Sequence, residues 1–262
     1  MLNTYGILPW VLTLIKQYPL HNLSQNPHAI KVLLEFPELR SSYYLSKNSN
    51  YEVVPMLLEN PDTIIWQETM KTSVGLLLLE HFPEKLEEPE YFRAMSINYN
   101  PIAVNILLKQ PERTDPFLFS QNKNPKILDF LAKNPSFLSK EGMLLNENSQ
   151  TANWVKKYYP EWLEDPFNWK YMSRNSAFMD YLIQNPKKVI IPQLCQMKHL
   201  TAIKVIENIV ENYMQQIKDV NYGKIEWTDL SANPFAIKLL EKNKEKVCPY
   251  LLQTNPSIFE FQ

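Results

Sequence analysis

The chain repeats one short segment, most clearly marked by asparagine followed by proline. Eight of the twenty prolines follow asparagine. Repetition at a period of about two dozen residues is typical of stacked arrays, in which each copy buries its apolar face against its neighbours. The clearest copies lie at 23–37, 100–111, 124–135, 173–186 and 230–243, the weaker ones at 49–61, 72–83, 149–160 and 199–210, and a truncated tenth ends the chain.

Each copy carries the signals of a helix start. Asparagine before proline is held in extended dihedrals, where its side-chain oxygen can accept from the first amides of a helix. Proline fits the first helical position because its missing N–H would have no partner there. Apolar residues then follow at helical spacing, as Ala29, Ile30, Leu33 and Leu34 do. The anchors, meaning the asparagine or its aligned residue, are 26, 50, 72, 100, 124, 149, 175, 199, 233 and 255.

A second short helix is expected between these anchored helices. Trp66, Trp169 and Trp227 each fall six residues before their anchor, with Tyr44 at the equivalent place. A large aromatic residue at a fixed position in a repeat predicts a core contact. A helix of about ten residues is marginal alone in water, so we expect the copies to depend on one another.

The sequence therefore predicts an all-α fold, an α-solenoid of about ten helix-turn-helix repeats of roughly 24 residues. Leucine-rich repeats share this period, but they need an apolar residue two positions after the asparagine. Those sites here are His28, Glu52, Lys126 and Phe235, which show no pattern. The predicted organisation is a capping helix at 1–20, repeats at 21–198, a lengthened helix at 199–223 and final repeats at 224–262.

Composition excludes several functional classes. Four scattered glycines cannot form the clustered loops that hold phosphates or dinucleotides. The net charge of −1 lacks the basic excess that is usual for nucleic-acid binding. Two distant cysteines, Cys195 and Cys248, indicate a reducing compartment. No stretch reaches membrane-spanning length, so we expect an intracellular protein without membrane insertion.

Residues that could carry chemistry are few. Cys195 and His199 are four apart, which suits one helix face, but a zinc site needs more ligands. No nucleophile motif occurs, and acidic residues such as Asp129 and Asp180 fall on polar helix positions. We expect no metal, no cofactor, no small-molecule substrate and no enzymatic activity.

The 34-residue spacing between anchors 199 and 233 is the largest departure from the repeat. It holds an apolar stripe on one long helix, at spacings of three and four residues. One interpretation is an overlong helix resting on a neighbouring repeat. The other is a protruding seam that binds a partner helix. The candidate partner-binding residues are Ile206, Val210, Tyr213, Ile217 and Val220.

The segment from Leu230 to Asn243, LSANPFAIKLLEKN, resembles the short helical repeats of proteins from giant and other large DNA viruses. The resemblance covers nearly the whole chain and implies a repeat architecture and a viral origin, with no catalytic residues. We expect a non-enzymatic scaffold for protein contacts, as a structural or assembly component of a virus particle, with capsid or assembly proteins as partners. The alternatives are a helical-repeat nucleic-acid-binding protein and a host-directed viral adaptor, and the expected location is the host cytoplasm or the particle.

Overall fold

The structure, a computed structural model, describes residues 6–213 and 224–259, without the side chains of 209–213. Over these ranges the chain is α-helical without a β-strand, as predicted. Its helices are α1 (Pro9–Ile15), α2 (Ile30–Glu35), α3 (Ser42–Leu45), α4 (Val54–Leu58), α5 (Trp66–Thr69), α6 (Ser73–Leu78), α7 (Pro89–Met95), α8 (Pro101–Lys109), α9 (Pro116–Gln121), α10 (Pro125–Lys133), α11 (Lys140–Leu144), α12 (Thr151–Tyr158), α13 (Glu161–Glu164), α14 (Trp169–Met172), α15 (Met179–Gln184), α16 (Ile191–Gln196), α17 (Leu200–Tyr213), α18 (Trp227–Ser231), α19 (Ile237–Lys242) and α20 (Pro249–Leu252).

Short 3-10 helices alternate with these α-helices, which the sequence did not indicate. Many begin at the proline that ends the preceding helix, because that proline starts one tight turn instead of a loop. They span His21–Gln25, Pro37–Leu39, Tyr51–Val53, Pro61–Thr63, Pro83–Leu86, Pro111–Arg113, Pro135–Phe137, Pro166–Asn168, Ser176–Phe178, Pro186–Lys188, Pro234–Ala236, Lys244–Lys246 and Pro256–Ile258.

The predicted capping by asparagine is confirmed. Asn100 accepts from the amide of Ile102 at the start of α8, with Pro101 at the first helical position. Asn124 accepts from the amide of Lys126 at the start of α10 in the same way. Asparagine also ends helices, since the side chain of Asn134 donates to the carbonyl of Phe130 at 2.9 Å. A residue that satisfies either helix end takes the place that glycine often has.

Buried asparagine side chains also join each copy to its neighbour. The side-chain amide of Asn122 donates to the carbonyls of Ser96 and Asn98, both at 2.9 Å. Its Oδ1 accepts from the amide of Asn124. One side chain thus orders its own turn and satisfies two carbonyls of the preceding copy. The described residues that do this, which we call the ladder asparagines, are Asn26, Asn48, Asn98, Asn122, Asn146, Asn175, Asn233 and Asn255.

Two copies carry another residue at the ladder position. Asn98 donates to the carbonyl of Thr72 at 2.7 Å, and Asn233 donates to that of Met197 at 2.9 Å. Thr72 and Met197 therefore occupy ladder positions, although neither side chain has the two amide donors of asparagine. The hydroxyl of Thr72 keeps half of the function, since it accepts from the amide of Val74.

These hydrogen bonds correct the alignment of the copies. The equivalent positions are 26, 48, 72, 98, 122, 146, 175, 197, 233 and 255. The anchors predicted at 50, 100, 124, 149 and 199 lie two or three residues too late. The physical reason is that copies such as Asn48-Ser49-Asn50 carry two asparagines, of which the first is the buried ladder residue and the second is another cap. The shift also removes Tyr44 from the tryptophan position, where only Trp66, Trp169 and Trp227 remain.

Serine supplies a second set of contacts between copies, two residues before the ladder position. The hydroxyl of Ser120 accepts from the amide of Ser139, at the start of α11 in the next copy, at 2.8 Å. A backbone N–H at a helix start is therefore satisfied from the adjacent copy. The same bond links Ser24 to Ser41, Ser46 to Ile65, Ser96 to Asp115, Ser173 to Ile190 and Ser231 to Cys248.

Helices α9 and α11, which precede the ladder positions of two adjacent copies, pack very closely. A β-carbon built on Gly142 of α11 would overlap the carbonyl oxygen of Phe117 in α9, and it would lie 2.9 Å from the β-carbon of Ser120. No real β-carbon tolerates such contacts, so this approach requires glycine. The core of the described chain is apolar, with Phe92, Phe119 and Phe178 among its fully buried side chains.

The two described ends of the chain lie against each other. Ile7 and Phe259 form an isolated antiparallel β-bridge, and the amide of Leu8 donates to the carbonyl of Ile258 at 2.8 Å. Helix α1, within the segment predicted as a capping helix, packs against α20 of the last copy. The sequence did not indicate this association between the ends.

Candidate interaction surface

The predicted seam on the lengthened helix is described only in part. Helix α17 runs to Tyr213 and packs against α16 and the Pro234–Ala236 turn. Ile206, one of the predicted partner-binding residues, is fully buried and packs in the apolar core. Its burial is what an overlong helix resting on a neighbouring copy requires. The side chains of Val210 and Tyr213 are not described, and Ile217 and Val220 lie outside the described residues.

Exposed aromatic side chains recur at one position of the repeat. Tyr43, Phe117 and Tyr250 each stand five residues before the ladder position of their copy, and each is 41–50% exposed. His21, also exposed, has the same position before Asn26. The correct alignment is needed to see this, because the predicted anchors place Tyr43 and Phe117 at a different position from Tyr250.

Three of these residues lie in consecutive copies. The ladder links the copy of Asn255 to that of Asn26, and the latter to that of Asn48. The residues five positions earlier, Tyr250, His21 and Tyr43, therefore follow one another along one side of the array. Tyr18 extends the group, since its ring meets that of Tyr250 edge-on with centroids 4.9 Å apart. We call Tyr18, His21, Tyr43 and Tyr250 the tyrosine surface.

Neighbouring groups fix the orientation of this surface. The side chain of Asn22 donates to the carbonyl of Tyr250 at 3.0 Å, which ties the last copy to the first. The ammonium of Lys47 lies 4.0 Å from the centre of the Tyr43 ring and donates to its hydroxyl. A cation on the ring face and a hydroxyl at its edge give Tyr43 a polar rim around an apolar face.

Other exposed aromatic residues are distributed over different parts of the molecule. Tyr51, Tyr99 and Phe167 are 53–81% exposed, against 37–50% for Tyr18, Tyr43 and Tyr250. Each stands at a different position relative to its ladder residue. Single exposed apolar side chains are normal on proteins, so these residues serve best as controls.

The thiol of Cys195 has a structural place. Asn233 donates to the carbonyls of Cys195 and Met197. Cys195 therefore lies two residues before the ladder position Met197, where other copies have serine. Burial raises the pKa of this thiol to about 11, and the charges of Asp229 and Glu226 act in the same direction. A hydrogen bond from the backbone of Glu226 opposes the rise. The thiol is therefore protonated and unreactive at neutral pH.

The neighbouring histidine acts as a cap. Nδ1 of His199 accepts from the amide of Thr201, at the start of α17, over 3.2 Å. In the part of the chain that the structure describes, no group of three or more histidine, cysteine or acidic residues could hold a metal ion. Cys195 and His199 are thus each accounted for by main-chain contacts.

Carboxylates on the described surface also serve the helices. Asp165 accepts from the amide of Phe167, and this hydrogen bond is the main cause that lowers its pKa, with Lys140 contributing through a second bond. Asp129 lies in an open cleft of about 340 Å³ beside α10, together with Lys126 and Lys133. Opposite charges alternate along this cleft, which gives it no single electrostatic character.

Comparison with protein-family models, with curated proteins and with solved structures gives no match for the chain. Over the described residues, no helix combines the length and the apolar character needed to cross a bilayer.

Proposed function

We propose that the protein is a non-enzymatic scaffold that binds other proteins, built as an α-solenoid of ten short helical repeats. The observation that carries the proposal is a contrast between buried and exposed side chains. Buried asparagines and serines are used to hold neighbouring copies together, as Asn122 and Ser120 show. Exposed aromatic rings, in contrast, recur at one position on the outside.

The tyrosine surface is the proposed binding site. Tyrosine offers a large apolar face and a hydroxyl at a low entropic cost, and it is enriched where proteins bind each other. Tyr43 and Tyr250 are about half exposed, so they have area left to bury. The ammonium of Lys47 beside Tyr43 favours a partner that presents an acidic group next to an apolar pocket.

The proposal extends to a role in a large DNA virus particle. Its support is the resemblance of LSANPFAIKLLEKN to repeats of proteins from such viruses. In this role the partners are capsid or assembly proteins. Mass spectrometry of purified particles tests the extension, which predicts the chain at a fixed ratio to the capsid protein; its absence from particles overturns the extension alone.

Binding can be tested with two matched pairs of substitutions. The test protein carries Tyr43→Ser and Tyr250→Ser, and the control carries Tyr51→Ser and Tyr99→Ser, which are also exposed. Proteins that co-purify with each are quantified by mass spectrometry. We expect at least one partner to bind the test protein about tenfold less than the wild type, since truncating central interface tyrosines costs more than about 1 kcal/mol.

The control should retain that partner at the wild-type level, and both variants should melt like the wild type. Equal recovery from both variants would show that the tyrosine surface is not the site. Retention that disappears with nuclease or falls steeply with salt would favour the alternative of nucleic-acid binding.

A further inference from the structure

The first copy contacts the last copy through the same bonds that join sequence neighbours. The side chain of Asn26 donates to the carbonyls of Gln253 and Asn255, both at 2.9 Å. Asn48 donates to the carbonyls of Ser24 and Asn26 in the same pattern. In every case the later copy donates and the preceding copy accepts. The first copy therefore has the last copy as its predecessor.

Helix α1 stands where the helix of the tenth copy belongs. Elsewhere each ladder position is followed by an α-helix, and in several copies this helix packs on the helix before the ladder position, as α10 packs on α9 and α19 on α18. In the described residues after Asn255, the turn Pro256–Ile258 leads directly to the β-bridge between Phe259 and Ile7. Helix α1 begins just beyond that bridge and packs on α20.

One polar pair at this contact differs from all the serine bonds described above. The residue seven positions before Asn26 is Pro19, which has no N–H to donate to a serine hydroxyl. The residue two positions before Asn255 is not serine but the buried Gln253, whose Nε2 donates to the carbonyl of Pro19 at 3.0 Å. In the serine bonds the later copy donates, whereas here the last copy donates to the first. Gln253 and Pro19 are thus complementary to each other at this one contact.

We propose that the chain closes into a ring of ten repeats, in which the tenth is assembled from the two described terminal segments and helix α1 is its second helix. The contact between Asn26, Pro19 and the last copy is then a clasp that fixes the number of repeats. A closed ring offers no free edge, so end-to-end stacking of molecules is excluded. The proposal does not depend on the proposed partner.

A disulfide across the β-bridge tests the ring directly. The bond from Leu8 to Ile258 makes Ile7 and Phe259 a non-hydrogen-bonded pair, whose Cα atoms lie about 4.5 Å apart, within disulfide range. The variant carries Ile7→Cys and Phe259→Cys with Cys248→Ser. We expect an intramolecular disulfide in a monomer and a Tm at least about 5 °C above that of the same variant when reduced, since the link closes a very long loop.

Thiols that stay reduced under oxidation, or that link two molecules, would overturn the ring. If the variant fails to fold, a double-mutant cycle decides. Gln253→Ser should lower Tm, because it removes the side-chain amide that donates to the carbonyl of Pro19. Adding Pro19→Ala restores an N–H opposite the serine, and we expect it to recover at least half of that loss. Strictly additive effects of the two substitutions would contradict the clasp.

Discussion

The side chain of Asn26 donates a 2.9 Å hydrogen bond to the carbonyl oxygen of Asn255, which is 229 residues away in the sequence. Both residues are fully buried. A buried carbonyl without a hydrogen-bond partner costs about 1–3 kcal/mol. Removing one of these side-chain amides should therefore be costly mainly because it leaves buried carbonyls unsatisfied. The ladder asparagines are therefore the strongest points at which stability can be tested.

Removing one ladder asparagine should weaken the whole array. We expect Asn122→Ala to lower the free energy of unfolding by about 2–4 kcal/mol, because two buried carbonyls and one amide lose their partner. Urea denaturation followed by circular dichroism measures this. Asn105→Ala, on the exposed face of α8, is the control and should change the free energy by less than about 0.5 kcal/mol. Equal effects of the two substitutions would refute the role of the ladder.

Supplying a missing ladder asparagine should stabilise the protein. Thr72 holds a ladder position, but its side chain lacks the amide group that would donate to two carbonyls in the copy of Asn48. We expect Thr72→Asn to add about 0.5–1.5 kcal/mol, because its Oδ1 can keep the bond from Val74 while its amide reaches the carbonyls of Ser46 and Asn48. Thr228→Asn, at an exposed site of α18, is the control. A loss of stability in Thr72→Asn would show that the neighbouring carbonyls are out of reach.

Because α9 and α11 approach so closely, replacing glycine with alanine at Gly142 should change the stability in the direction opposite to the usual one. In a helix, glycine to alanine normally stabilises by up to about 1 kcal/mol. At Gly142 we expect alanine to destabilise by about 1–3 kcal/mol, because its methyl group would meet the carbonyl of Phe117. Thermal and urea unfolding of Gly142→Ala, with Glu141→Ala as the neighbouring control, measure the difference. A more stable Gly142→Ala protein would mean that these two helices are farther apart.

The raised pKa of Cys195 predicts both low reactivity and a pH dependence. In the folded protein at pH 8, alkylation followed by mass spectrometry should modify the partly exposed Cys248 and spare the buried Cys195. Because the folded pKa of about 11 exceeds the unfolded value of about 8.5, the folded state holds its proton more tightly. The resulting stabilisation is complete below about pH 8.5 and is lost as the pH rises through 11.

The wild type should therefore lose stability more steeply between pH 8.5 and 11 than Cys195→Ser, which has no thiol to titrate. Parallel pH profiles for the two proteins, or early alkylation of Cys195, would contradict this assignment.

Helix starts and the all-α class could be predicted from the sequence because they depend on local chemistry. Asparagine before Pro101 or Pro125 specifies a cap within three residues, and the structure has that cap. The ladder could not be derived in this way, because it is a contact between copies and depends on how closely they pack. The asparagine pairs at 48 and 50, and at 98 and 100, were the signal that could have shown two roles for this residue.

The meeting of the ends was also beyond local inference. Helix α1 looked like a cap because nothing in residues 1–20 specifies which copy it contacts. In the described residues, the turn Pro256–Ile258 follows Asn255 and leads to the β-bridge. That turn and helix α1 are recognised as neighbours only when Leu8 and Ile258 are seen together. For the partner surface, the alignment had to be corrected first.

The distance between the two ends tests the central claim most directly. Spin labels on Gln17→Cys and Lys244→Cys, in a Cys248→Ser background, can be measured by pulsed electron paramagnetic resonance. In the structure Lys244 lies against the ring of Trp10 in α1, so a closed ring predicts one short, narrow distance distribution. An open array of ten copies, with helices about 8–10 Å apart, would instead separate the labels by several tens of ångströms. A long or broad distribution in the folded monomer would contradict the closed ring.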